Sequence, residues 1–199
     1  MRKPENLEKR EGTYYKWCIV LVFVFEFLAA AGVLISVFDL IRVIAAAPDT
    51  VAAEEINGAI SFTVIMTYEY TPVKGYITED LNLKVFETVW IIVQLFSSQI
   101  PYLILFDSVR RMLRRIGTGH SPLNPDAVPC IQMAGAAMIF LSVCKGLIEQ
   151  LVMGMVIYGH VVISNPVSMT GLFGGLLILV FAGIYRRGCR LQQDADETI

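Results

Sequence analysis

Four polar side chains that could do chemistry lie inside long apolar stretches of this sequence. Glu26 interrupts the first stretch, Gln94 the second, and Lys145 and Glu149 the third. The i,i+4 spacing of Lys145 and Glu149 places them on one helical face, where they can pair. Glu26 has no cation on its own helix. We therefore expect it to pair with Lys145 or Gln94, or to carry a proton.

Two roles are open for this intramembrane polar cluster, because ionised groups in hydrocarbon are costly and find partners. One role is a small transporter or transporter subunit that uses Glu26 and Lys145. The other is structural, with the polar groups fixing the register of the helices. One carboxylate per span without a second acid–base relay favours the structural role.

Residue patterns typical of catalysis or metal binding do not occur. His120 and His160 are not part of a metal-binding helix pair, and Gly117-Thr118-Gly119 is a lone G-x-G. The four cysteines form no C-x-x-C motif and imply no disulfide framework: Cys18, Cys130, Cys144 and Cys189. We therefore predict a protein that is not an enzyme and has no cofactor and no metal site.

The composition excludes a soluble domain. Of 199 residues, 55% are hydrophobic and only 17% are charged, and the mean hydropathy is +0.60. The net charge of -2 argues against direct binding of nucleic acid. Disorder, collagen and a disulfide-stapled miniprotein are excluded by the same values.

Four apolar stretches are long enough to cross a bilayer, which takes about 20 residues per helix. They predict an all-α membrane protein, a single four-helix transmembrane domain over 1–199, with spans at 17–44, 85–106, 130–157 and 169–185. The first apolar run is longer than the core of a signal peptide, so we interpret it as a retained anchor.

Basic residues set the predicted orientation. Twelve of the 16 lysines and arginines lie before the first span, after the second or after the fourth. The positive-inside rule then places both termini, the loop 107–129 and the tail 186–199 in the cytoplasm. We expect a multi-pass protein of the inner or plasma membrane, in contact with the lipid bilayer.

The outer segment 45–84 is too long for a simple connection. Apolar and polar residues alternate from Ile60 to Tyr70, which predicts a strand, and Tyr76 to Thr78 could return beside it. We predict a small extracytoplasmic β-hairpin-like cap between the first two spans. It is either a sensor surface or, as we favour, a lid over the helix ends.

Small residues indicate close helix packing. Gly171 and Gly175 form a G-x-x-x-G frame in the fourth span, and Ser142 and Gly146 have the same spacing in the third. Packing within one chain is the commoner use of this frame, and a homo-oligomer is the alternative.

Charged residues on the predicted inner face form a candidate docking surface. A basic helical turn after the second span is followed by a Gly/Pro/Asn loop, and the fourth span runs into a basic and then acidic tail. The predicted surface consists of Arg110, Arg111, Arg114, Arg115, Arg186, Arg187, Asp194, Asp196 and Thr198. Positive-inside anchoring and anionic lipid could also account for the arginines.

Both stretches resemble the DUF2975 family of bacterial four-span membrane proteins. The matching loop residues are Ile116, Gly119, Ser121-Pro122 and Asn124, and the matching tail residues are Arg186, Arg187, Gly188, Leu191, Gln192, Asp196, Thr198 and Ile199. The loop departs in spacing, Leu123 replaces the usual aromatic residue, and Glu197 replaces the usual leucine. The resemblance implies no enzyme activity. It implies docking or antagonism of a small cytoplasmic helix-turn-helix transcription regulator.

Overall fold

The computed structural model of the chain describes residues 5–47, 53–56, 59–62, 82–118, 123–158 and 166–198. Helices make up most of these residues. A π-helical turn at Leu95–Gln99 joins the second helix to the third, and a 3-10 turn at Pro125–Ala127 precedes the fourth. The α-helices are α1 (Glu5–Ala45), α2 (Leu83–Gln94), α3 (Ile100–Thr118), α4 (Val128–Tyr158) and α5 (Met169–Thr198).

Four helical stretches of the described residues are long and apolar enough to cross a membrane, which confirms the predicted number of spans. They are Tyr15–Ala45, Lys84–Ile116, Pro125–Val156 and Met169–Glu197. They indicate a multi-pass membrane protein. With 41 residues, α1 is about 60 Å long, twice the roughly 30 Å of a hydrocarbon core. The predicted tail is an uninterrupted extension of α5 as far as Thr198.

The joint between α2 and α3 follows from one proline. Pro101 has no N–H to donate, and its ring crowds the carbonyl of Ser97. The sequence predicts a kink there, and the structure accommodates the proline with the π-helical turn immediately before it. At the other end of α2, the Asn82 side chain accepts a hydrogen bond of 3.2 Å from the Val85 N–H and begins the helix.

A two-stranded antiparallel hairpin lies in the segment between α1 and α2. Strand β1 (Ala53–Ile56) pairs with β2 (Ala59–Phe62), with Ala53 opposite Phe62. The predicted strand 60–70 overlaps β2 only at its beginning. Its remainder and the predicted returning strand 76–78 lie outside the described residues.

The chain forms two compact units. Unit 1 comprises Met1–Ala30, Pro101–Ser142 and Ser168–Ile199, and unit 2 comprises Ala31–Ile100 and Val143–Val167. Each unit is described by itself below.

In unit 1, α4 and α5 approach closely along their small residues. A β-carbon built on Gly175 would lie 3.0 Å from the Gly135 carbonyl oxygen, and one on Gly171 would lie 2.2 Å from Ser142 Oγ. The predicted packing of the G-x-x-x-G frame within one chain is thus confirmed. Helices α1 and α3 meet through stacked rings of Phe25 and Phe106, whose centroids are 5.5 Å apart.

In unit 2, the end of α1 is tied to the beginning of α2. Lys84 Nζ donates hydrogen bonds to the carbonyl oxygens of Ile44 (2.9 Å) and Ala46 (2.8 Å). A cation at the carbonyl end of a helix also interacts favourably with the helix dipole. Buried apolar side chains of the same unit include Val43, Phe86, Trp90, Ile91 and Val93.

Candidate functional site: the arginine-rich end of unit 1

Charged side chains of α1 and α3 form an ion-paired group, here called the Glu26 cluster. Arg110 Nε lies 2.6 Å from Glu26 Oε2, and Arg110 Nη2 lies 2.6 Å from Asp107 Oδ1. Arg111 Nη2 lies 2.6 Å from Asp107 Oδ2. Two carboxylates thus face two guanidinium groups, so the cluster is electrically balanced.

The partner of Glu26 is Arg110 of α3, a residue of the predicted docking surface, and neither Lys145 nor Gln94 as predicted. The Glu26 and Arg110 side chains are 17% and 22% exposed, so both are half-buried. This geometry supports the structural role of Glu26, and transport stays an untested alternative.

Asp107 is a member of the cluster that sequence reasoning missed. Its spacing of i,i+3 to Arg110 and i,i+4 to Arg111 was a usable signal, because acidic and basic side chains at these intervals meet on a helix. Without the fold, the arginines indicate only topology and docking.

The other members of the predicted polar cluster belong to unit 2. Ser97 Oγ donates a 3.2 Å hydrogen bond to Glu149 Oε1, and Lys145 interacts electrostatically with the same carboxylate. Gln94 closes α2. In the same unit, Gln99 Nε2 donates to Ser36 Oγ at 2.7 Å.

Two further acidic side chains, Asp39 and Glu87, are each only 3% exposed in unit 2. Asp39 lies near the end of α1 and Glu87 near the beginning of α2. Each is flanked by apolar residues, and no spacing in the sequence distinguishes it as a buried acid. The four-residue cluster predicted from the sequence is therefore divided, with Glu26 in one unit and a larger polar set in the other.

Asn124 connects three elements of unit 1. Its side-chain oxygen accepts a 3.0 Å hydrogen bond from the Asp126 N–H and caps the 3-10 turn, and its Nδ2 donates to the Arg115 carbonyl at 3.0 Å. Its backbone N–H donates to the hydroxyl of Tyr185 on α5 at 2.9 Å. Arg115 also donates to the Asp126 carbonyl. Asn124, just before α4, is thus fixed against both α3 and α5.

A polar groove lies next to this connection, between the beginning of α4 and the far part of α5. Its volume is about 380 Å³. Arg186, Arg190 and Gln193 approach it from one face of α5, at helical spacings of four and three residues. The full lining is Pro125, Val128, Pro129, Gln132, Arg186, Cys189, Arg190 and Gln193.

Most of the predicted docking residues are exposed in the structure. Arg114 and Asp194 are exposed and also interact with other groups. Thr198 ends α5, and its side chain lies outside the described residues. The exposed members are Arg111, Arg114, Arg115, Arg186, Arg187, Asp194 and Asp196. Apart from Arg110, the predicted surface is therefore accessible wherever it is described.

Among the described residues, no group of three or more His, Cys, Asp or Glu side chains could hold a metal ion. Scans of family models, of curated proteins and of solved structures found no match to this chain. The resemblance to the DUF2975 family stays a prediction based on its residues.

Proposed function

We propose that this protein is a non-enzymatic membrane protein whose arginine-rich end docks a cytoplasmic helix-turn-helix transcription regulator, or antagonises it by holding it at the membrane. The observation that carries the proposal is the polar groove, which presents Arg186 and Arg190 beside the Asn124 connection. In this proposal both termini and the loop 107–129 are cytoplasmic, and the β-hairpin-like cap is outside the cell. The protein itself does not contact nucleic acid.

The order of charges along α5 supports a protein partner. From Arg186 to Thr198 the helix extends about 18 Å at 1.5 Å per residue. Exposed arginines come first and exposed acidic residues follow, at Asp194, Asp196 and Glu197. A uniformly anionic membrane surface matches only the first part, whereas a protein can present complementary charges to both.

The lining of the polar groove fits an acidic segment of that partner. Two guanidinium groups can bind carboxylates through charge-assisted hydrogen bonds, and the amides of Gln132 and Gln193 can donate or accept beside them. Because Asn124 holds the rim of the groove in place, little conformational entropy is lost on binding.

Site-specific photo-crosslinking in living cells tests the proposal. A photoreactive amino acid at Gln193 probes the groove, and one at Phe173, which is 63% exposed on the apolar part of the same helix, is the control. We expect the Gln193 probe to capture a helix-turn-helix DNA-binding protein and the Phe173 probe not to. The double change Arg186→Gln and Arg190→Gln should abolish capture, whereas Lys16→Gln, at an exposed lysine of α1 outside the docking surface, should preserve it.

Deletion of residues 194–199 should also prevent capture, because it removes the acidic part of the docking surface. The proposal is wrong if no DNA-binding protein is captured at Gln193 from native membranes. Equal capture by both probes, or unchanged capture after the double arginine change, would also contradict it.

A further inference from the structure

A second cavity in unit 1 is lined almost entirely by apolar groups. It lies between α3, α4 and α5 and has a volume of about 490 Å³. Val109 and Met112 line it from α3, Ile131 and Ala134 from α4, and residues from Ile178 to Gly188 from α5. The cavity is separate from the polar groove, since the two have no lining residue in common.

The cavity opens towards the lipid-facing surface of α5. Two of its lining side chains, Phe181 and Ile184, are 63% and 59% exposed. From Ile178 to Gly188 the lining extends along α5 for about 15 Å at 1.5 Å per residue. This length is half of a hydrocarbon core of about 30 Å, and it matches the depth of one leaflet.

An exposed arginine of α5 lies next to the cavity lining in the sequence. Arg187 directly precedes the lining residue Gly188 and follows the lining residue Ile184 by one helical turn, and its side chain is exposed. The α5 arginines are thus divided, because Arg186 and Arg190 line the polar groove and Arg187 does not.

We propose that this cavity binds one acyl chain of an anionic phospholipid, whose phosphate lies against Arg187. The apolar lining accepts a hydrocarbon chain and disfavours any polar segment, because a buried polar group without a partner is costly. The guanidinium group of Arg187 selects a negatively charged headgroup. The inference does not depend on the proposed regulator, because its evidence is the apolar cavity.

Photoactivatable lipids test this site on the full-length protein in phosphatidylcholine nanodiscs. The probes are phosphatidylglycerol and phosphatidylcholine with the same diazirine-bearing acyl chain. We expect phosphatidylglycerol to crosslink to Met112 and Ile184 several times more than phosphatidylcholine does. Arg187→Gln should reduce the phosphatidylglycerol signal about fivefold, the effect of one arginine near an anionic surface. Arg186→Gln, which removes the same charge one residue away, should reduce it less than twofold.

Filling the cavity is a second test. Ala134→Met adds a flexible side chain to the lining, whereas Ala136→Met makes the same change at an exposed position on α4. We expect Ala134→Met to abolish crosslinking at Met112 and Ile184, and Ala136→Met to leave it unchanged. If Ala134→Met does not fold, the comparison of Arg187→Gln with Arg186→Gln tests the proposal by itself.

Equal crosslinking by both lipids would overturn the proposal. Equal losses in Arg187→Gln and Arg186→Gln would also overturn it, because the attraction would then be general and not that of a site. Crosslinking that persists in a folded Ala134→Met protein would show that the cavity is not the binding place. None of these results depends on capture of a regulator, so this proposal and the proposed function can fail separately.

Discussion

Replacing Gly175 by alanine tests whether the close approach of α4 and α5 holds unit 1 together. The added methyl group would lie 2.6 Å from Ile139 Cγ1 and 3.0 Å from both the Gly135 carbonyl oxygen and the Ile139 backbone nitrogen. Carbon atoms in good contact are about 3.5–4.0 Å apart. The side chain of Ile139 can rotate, but the backbone atoms can move only if the helices separate.

Gly183 provides a matched control on the same helix. A β-carbon there would meet no atom within 4 Å. Both changes replace glycine by alanine in the interior of α5, so both gain the same intrinsic helix propensity of up to about 1 kcal/mol. The difference between the two variants therefore isolates the steric cost at Gly175. Overpacking of a tight interior typically costs about 1–3 kcal/mol.

This difference is measured by thermal unfolding of both variants in the same detergent, with the remaining folded protein monitored at each temperature. For a chain of this size, about 1–3 kcal/mol corresponds to an apparent Tm about 2–12 °C lower for Gly175→Ala than for Gly183→Ala. If the two variants melt together, the approach of α4 and α5 at Gly175 is not the close contact described above, and the small-residue argument fails.

Four further experiments test the polar contacts, the topology and the transporter alternative. Glu26→Gln and Arg110→Gln should each lower the free energy of unfolding by about 1–3 kcal/mol, and the double variant by less than the sum. Arg110→Gln leaves the half-buried Glu26 carboxylate without its cation, and Glu26→Gln removes one of the two carboxylates that Arg110 contacts; wild-type melting of Glu26→Gln would refute the structural role. Lys84→Met should cost about 1–2 kcal/mol in chemical unfolding, since two carbonyls at the end of α1 lose their donor, and Lys84→Arg should recover part of it. Reporter fusions at Gly75 and at the C-terminus should report opposite sides of the membrane, and a shared side would refute the predicted orientation. Charge-neutral changes at Glu26 and Lys145 should leave capture of the regulator unchanged. If the protein were a transporter, the same changes would abolish transport.

The described hairpin begins earlier in the sequence than the predicted one. Alternation from Ile60 to Tyr70 predicted a strand, of which β2 contains the first residues, and residues 63–70 lie outside the described residues. Between β1 and β2 the sequence reads Asn57-Gly58, the dipeptide most favoured between the strands of a tight hairpin. The dipeptide is the more specific signal, because a two-residue connection restricts the backbone more than alternation does.

The joint at Pro101 shows how far a local rule extends. The missing N–H and the clash with the Ser97 carbonyl are properties of the chain itself, so the disturbed helix was predictable. Its form, a π-helical turn with Ser97 and Ser98 buried, depends on what the turn packs against. Local chemistry therefore determines the place of the distortion and tertiary packing determines its shape.

The number of spans and the presence of a G-x-x-x-G frame could be determined from the sequence alone. These features depend on hydrophobicity and spacing along one helix, and both are properties of neighbouring residues. The partners of the charged groups could not be determined in this way. Glu26 and Arg110 lie on different helices, and the tertiary structure alone decides which helical faces meet. The same reason explains why Arg186 and Arg190 line the polar groove whereas their neighbour Arg187 does not.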